Sequence, residues 1–310
     1  MTVIWPVAVV PSDCEEIEVD YAARLGQCQV FYNMETNPRA ASHGDGIAAE
    51  AEAADLDKIH AVMHSKVNGE ILDRVGPGAS NMGRYFERYI SYVPGGGQEW
   101  NEDPSHVAEL LKNRNRSGAK PQTQHRSDTG RSLYIASGRL DLQHSARDLG
   151  GQMSKTLRMC ELRLGGCVRY LAGRPHLPLV FKHEVETHGS RIPAGSRWSE
   201  ETDRYSSHAG FEFAGVHLIE SWVSTDQVKA LSSAEAELYM IADGSDRCIL
   251  TQDLMDEMNH KWWAEVESDS ADAAAISSKS GMGETRHVAT RWLWIRVAMR
   301  NEQTNLQKRK

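Results

Sequence analysis

Residues 111–182 carry 14 lysines and arginines against 4 acids, a net of +10, between an acidic stretch over 1–110 (net −11) and another over 183–310 (net −7). Cations at that density can neutralise a phosphate backbone and release its counterions. Two readings fit: a solvated helical face, or a surface that tracks nucleic acid. The whole chain sums to −8, so the distribution rather than the total carries the signal. Other chemistry is thin. Cys14, Cys28, Cys160, Cys167 and Cys248 form no CxxC pair, which argues against a zinc site. This odd, scattered set fits a reducing compartment, so the chain is expected inside the cell, in the cytoplasm or nucleus. His43, His106 and His287 have no partner at metal-ligand spacing and read as structural hydrogen-bonding groups. No GxSxG occurs, so a serine hydrolase is not supported. No run of about 18 apolar residues appears, which excludes a membrane-spanning helix, and Met1–Pro11 lacks the basic start of a secretory signal.

The elements that must position any site change character along the chain. Val30–Tyr32 reads as a strand and Ala48–Met63 as a helix, rich in helix formers. Gly76-Pro77-Gly78 breaks the pattern. Tyr85–Val93, the Gly95–Gly97 run and Glu99-Trp100 predict a hairpin, and Pro104–Leu111 a short helix begun by proline. Residues 113–130 are polar without periodicity and read as a linker. Met153, Leu157, Cys160, Leu164, Cys167, Val168 and Leu171 recur at helical spacing, with Lys155, Arg158, Arg163 and Arg169 largely off that face. Beyond Pro178 come short strands, Phe211–Val216 and Leu218–Val223. A helix follows, opened by the capping box Ser232-x-x-Glu235. Val266–Ser268 predicts a strand end, Ala271–Ile276 a helix, and His287–Met299 a last helix bearing Arg291, Arg296 and Arg300. Strand, strand, strand, helix, strand, helix is the order of an RNase H-like α/β fold.

Several segments then resemble one family in the same order. Ala230-Leu-Ser-Ser-Ala-Glu-Ala-Glu237-Leu-Tyr is similar to "ALSSxEAEY" of copia-type RNase H domains. The stretch from Trp198 to Gly210 resembles "DWAGxxxTRxSTSG", Leu218–Thr225 resembles "xIxSWSSTQ", and Gly281–Ala289 resembles "GxGKxRHLD". Upstream, Tyr134–Leu142 is similar to "YLAxxRPDL" and Arg169–Pro175 to "RYLKGxP". Trp100–Leu111 with Gly118–Pro121 resembles the end of the family's polymerase domain. Cys28–Tyr32 and His43-Gly44-Asp45-Gly46 resemble a palm strand pair ending in "HGDD". The resemblance, over about residues 20–300, is to the back half of a copia-type retrotransposon Pol polyprotein. It implies a partial reverse-transcriptase palm and thumb-like remnant over 20–125, a basic helical connection over 126–184, and an RNase H-like mixed sheet with helices over 185–304.

It also implies chemistry. RNase H-like sites cut RNA paired to DNA with two magnesium ions about 4 Å apart, held by carboxylates. Glu237 stands where the family has its helix carboxylate, and Asp269 where it has the acid after the fourth strand. The first-strand aspartate, three residues before Trp198, is replaced by Gly195, and the acid just before that tryptophan by Arg197. Pro193 interrupts the same strand. Ala289 replaces the "RHLD" aspartate, and the segment in which the family has its last carboxylate is not reached before Lys310. In the polymerase half, Asp45 persists but its neighbour is Gly46. The expectation is a degenerate pair of active sites with remnant residues Glu237, Asp269 and Asp45, and doubtful Mg2+ binding at Glu237 and Asp269. RNA/DNA hybrid or another nucleic acid is the expected partner, through Arg158, Arg163, Arg169, Arg291 and Arg296. A nuclease that survives would have to recruit an acid such as Glu200, Glu201 or Asp203.

Overall fold

The computed structural model describes residues 2–6, 21–25, 28–32, 39–43, 46–66, 71–85, 88–114, 122–153, 158–182, 187–198, 206–226, 229–279 and 290–308. The chain divides into two compact units: residues 1–108 with 174–184, and residues 109–173 with 185–310.

The first unit is built on two antiparallel sheets. Strands β1 (Thr2–Pro6), β2 (Tyr21–Leu25), β3 (Cys28–Tyr32), β4 (Arg39–His43), β5 (Gly46–Glu50) and β6 (Asp73–Val75) assemble in the order β2-β3-β4-β5-β1-β6. Helix α1 (Ala53–Lys66) buries Leu56 and Ile59 against Ile47, Ala49 and Ala40 of that sheet. Ala48–Glu50 is therefore strand, where the alanine-rich sequence predicts helix. Backbone pairing to β4 on one side and β1 on the other outweighs its helix propensity. The second sheet joins β7 (Met82–Tyr85), β8 (Arg88–Tyr92), β9 (Gln98–Glu102) and, from much later in the chain, β10 (Leu179–Phe181). Gly95, Gly96 and Gly97 all take positive φ in the β8–β9 turn. At Gly97 a Cβ would also lie 2.4 Å from the Phe181 carbonyl oxygen, so glycine is required there twice over. Helix α2 (Pro104–Arg114) follows. Asp103 caps it, accepting from Ser105 N at 2.8 Å and holding Arg84 at 3.1 Å.

The second unit opens with helices α3 (Gln122–Ala136), α4 (Leu140–Gly151) and α5 (Arg158–Gly173). The predicted linker over 113–130 is overturned, since α3 starts at Gln122. Its buried face is polar, with His125, Asp128, Thr129 and Ser132, so no apolar periodicity betrays it. Asn113 and Gln124 both donate to Asp128, at 3.1 and 2.9 Å. Leu149, Cys160 and Leu164 close the α4–α5 contact.

The rest of this unit is a five-stranded mixed sheet. Strands β11 (Gly189–Arg197), β12 (Ser207–Ala214), β13 (His217–Thr225), β14 (Trp263–Ser268) and β15 (Asn305–Lys308) lie in the order β13-β12-β11-β14-β15. The first three pair antiparallel; β11–β14 and β14–β15 are parallel. Helix α6 (Ser233–Glu257) crosses from β13 to β14 and packs Gly244 onto Ile192 and Val266. The capping box forms with a difference. Ser232 Oγ accepts from Glu235 N at 3.1 Å, but the Glu235 carboxylate reaches back to Leu231 N at 2.7 Å. Helices α7 (Ala271–Ser278), α8 (Thr290–Leu293) and α9 (Ile295–Arg300) lead to β15, so the predicted last helix is two short ones. Tyr239 of α6 stacks on Trp292 at 4.6 Å. This sheet order and crossover form the RNase H-like α/β fold.

Candidate nuclease-derived site

Strand β11 is the floor of the site, and its pleat decides what each side chain can reach. Its even-numbered residues face α6: Ile192 is buried under the helix, Ala194 packs against the α6 cluster, and Ser196 bonds to Glu237. The odd-numbered Arg191, Gly195 and Arg197 are exposed on the other side. Pro193 leaves its mark as expected. The β11–β12 ladder pairs Ser190 and Arg191, skips Ile192 and Pro193, and resumes at Ala194.

Glu237 comes from the second turn of α6, and its residue is only 8% exposed. Its Oε1 accepts two hydrogen bonds from the end of β11, from Ser196 N at 3.0 Å and Ser196 Oγ at 2.8 Å. Its Oε2 is buried with no hydrogen-bond partner among the described residues. Ser196, 41 residues upstream, is a site residue that sequence reasoning misses.

Asp269 follows the end of β14 and is exposed. Parallel pairing sets Gly189 opposite Trp263 and Pro193 opposite Glu267. The ladder ends at that pair; Gly195 lies two residues further along β11, and Asp269 just past the end of β14. A Cβ built on Gly195 meets nothing within 4 Å, so the position is open for a side chain that the sequence does not supply. Arg197, two residues on, is exposed on the Gly195 side of the pleat.

Glu237 thus meets the end of β11 on the α6 face, whereas Gly195 lies on the opposite face of that strand and Asp269 follows the end of β14. A pair of magnesium ions needs several oxygen ligands and their negative charge. Among the described residues no group of three or more His, Cys, Asp or Glu could hold a metal ion. The orphaned Glu237 Oε2 is one ligand for a cation; with Asp269 the acids number two, and the residues present do not fit a two-metal centre. Asp45, Glu200, Glu201, Asp203 and the 281–289 segment lie outside the described residues.

Beside this end lies a buried charge network with no sequence signature. His208 is the cross-strand partner of Ser196 and is 5% exposed. Its Nδ1 lies 3.0 Å from Asp226 Oδ1, and its Nε2 lies 3.0 Å from Asp243 Oδ2. Burial pushes the imidazole pKa down, but hydrogen bonds and charge from both aspartates outweigh it, and the value is pushed up to about 9. His208 is therefore an imidazolium at neutral pH, donating from both nitrogens. Burial raises Asp243, yet His208 and Arg247 bring it to a net position below the usual carboxylate range. Arg247 also pairs with Glu220 and lies 4.1 Å over the Trp222 ring. Glu212, buried in the same layer, is pushed up by desolvation, while Thr251 Oγ1 donates to it at 3.1 Å.

The predicted nucleic-acid contacts divide. Arg158 and Arg169 are exposed on α5. Arg163 is tied to Asp148 at 2.5 Å. Arg296 is 5% exposed and donates from Nε to the Ile276 carbonyl at 2.9 Å, so its guanidinium works inside the fold. The Arg291 side chain lies outside those described. In the Tyr134–Leu142 segment, Arg139 is completely buried and grips Asp141 through Nε at 3.0 Å and Nη2 at 2.7 Å. Burial raises the Asp141 carboxyl, but Arg139 and Tyr170 of α5 together hold it below the usual range. That motif locks the α3–α4 corner.

The whole chain superposes on two solved structures of a foamy viral protease-reverse transcriptase. One is in complex with an RNA/DNA hybrid (TM-score 0.55, 9% identity, 44% of that chain covered), the other with dsDNA (TM-score 0.53, 10% identity, 67% covered). The present chain thus spans under half the length of the first. At these identities the likeness shows the fold alone, a mixed α/β chain with an RNase H-like sheet. No protein-family model matches the chain, and no curated protein does. No helix among the described residues is long and apolar enough to cross a membrane.

Proposed function

We propose that this chain is the remnant of a copia-type retrotransposon reverse transcriptase and RNase H in which hybrid cleavage has been lost. The copia assignment rests on the ordered motifs from Cys28 to Ala289. In this reading 20–125 is the polymerase remnant, 126–184 the connection, and 185–304 the nuclease-derived domain. The observation that carries the loss is Gly195 at the position of the first-strand carboxylate, with open space where a side chain would project. Removing even an outer partner of a bound metal costs about 10–100-fold, and losing a direct ligand costs more. Nucleotide addition is lost as well, since only one acid of the "HGDD" pair, Asp45, persists. The test is Mg2+-dependent cleavage of a labelled RNA/DNA hybrid by wild type and Asp269→Asn. Both are expected to stay at background; cleavage by wild type that Asp269→Asn abolishes would overturn the reading.

A second reading, a non-catalytic nucleic-acid-binding module, is favoured by the exposed Arg158 and Arg169 within the basic 111–182 block. Hybrid affinity should then fall steeply with salt, by a slope of roughly 0.7–0.9 in log–log terms per phosphate neutralised. Fluorescence anisotropy between 50 and 200 mM salt reads this directly. Arg158→Ala with Arg169→Ala should flatten the slope by about 2, and no binding at 50 mM salt would end the idea.

A further inference from the structure

Helix α1 carries His60 and His64, four residues apart, so their side chains leave the same face one turn from each other. Their rings lie edge to face with centroids 5.9 Å apart and planes at 71°. His64 is exposed and His60 half-buried, beside Ile59, which packs into the first unit's core. Two imidazoles on one helix face are the ligand type and spacing that late transition ions accept. A metal–nitrogen bond of about 2.0–2.1 Å puts the ion about 3.2 Å from each ring centroid, so a tetrahedral angle brings the centroids to about 5 Å. Rotating two surface side chains by roughly 1 Å achieves this. The nearby cations are already matched: Lys58 Nζ sits 2.8 Å from Asp55, and Arg74 2.7 Å from Asp57, one turn ahead of His60.

We propose that His60 and His64 form a two-imidazole site for a late divalent transition metal ion, with water in the remaining positions. The site binds Cu2+, Ni2+ or Zn2+ and not Mg2+, which takes oxygen ligands. It lies in the first unit and owes nothing to the nuclease-derived residues.

Calorimetric titration of the full chain with Ni2+, and separately with Mg2+, tests it. Wild type is expected to bind Ni2+, with His60→Ala and His64→Ala each losing affinity by about tenfold or more. His144→Ala, an exposed histidine on α4, is expected to leave binding unchanged. Alanine is favourable in a helix, so α1 should persist; if His60→Ala nevertheless fails to fold, the exposed His64 carries the test. Ni2+ affinity equal in wild type and His64→Ala would overturn the proposal, as would wild type that binds no Ni2+.

Discussion

A buried imidazolium makes stability depend on alkaline pH in a way that can be worked out beforehand. His208 is held by Asp226 and Asp243 at 3.0 Å on either side, with Arg247 and Glu220 continuing the network. Its pKa stands at about 9 in the folded chain against 6.5 for the unperturbed group. A folded pKa above the unfolded one means that the contribution is complete below pH 6.5 and is lost as pH rises through about 9. At about 1.36 kcal/mol per tenfold, the full span amounts to at most about 3 kcal/mol. Urea unfolding followed by circular dichroism at pH 6, 7, 8, 9 and 10 measures it. Stability should fall steadily across that range and level off above about pH 9.5. Asp243→Asn removes one charge partner and lowers the folded pKa, so its decline should end at lower pH and be smaller. A flat profile between pH 6.5 and 9.5, or one that Asp243→Asn leaves unchanged, would show that His208 is not the charged clamp described.

Two packing predictions follow from the same unit. A Cβ on Gly210 would sit 2.4 Å from the Trp222 ring across the β12–β13 pair, so Gly210→Ala should destabilise by about 1–3 kcal/mol in chemical denaturation; a neutral result would mean that Trp222 can move away cheaply. Asp141→Ala removes the bidentate partner of the completely buried Arg139 and should cost about 3 kcal/mol, read as a lowered unfolding midpoint.

Much of the RNase H-like domain was legible because its signals are local. A cap at Ser232 and a strand end before Asp269 each sit within a few residues, whereas the strand predicted over Phe211–Val216 runs Ser207–Ala214. Helix α3 was hidden because Asp128, Thr129 and Ser132 occupy its inner face, and polar residues there look like a loop. Ala48–Glu50 was misread because its conformation is set by two neighbouring strands rather than by its own composition. In the site, Glu237, Asp269 and Gly195 could be singled out by motif. The Ser196–Glu237 bonds and the Asp226–His208–Asp243 clamp could not, since they join residues 18 to 41 positions apart. The basic residues show the same limit: sequence marks Arg158 and Arg296 alike, yet one is exposed and the other buried.

The proposed loss of the first-strand carboxylate is tested most directly by Mn2+ titration, with Mn2+ standing in for Mg2+, of wild type, Gly195→Asp and Glu237→Gln, counting bound ions by electron paramagnetic resonance. The account predicts no tight ion in wild type or Glu237→Gln, and one gained in Gly195→Asp, where the new side chain enters open space at the end of β11. Two ions bound by wild type, and lost in Glu237→Gln, would contradict it.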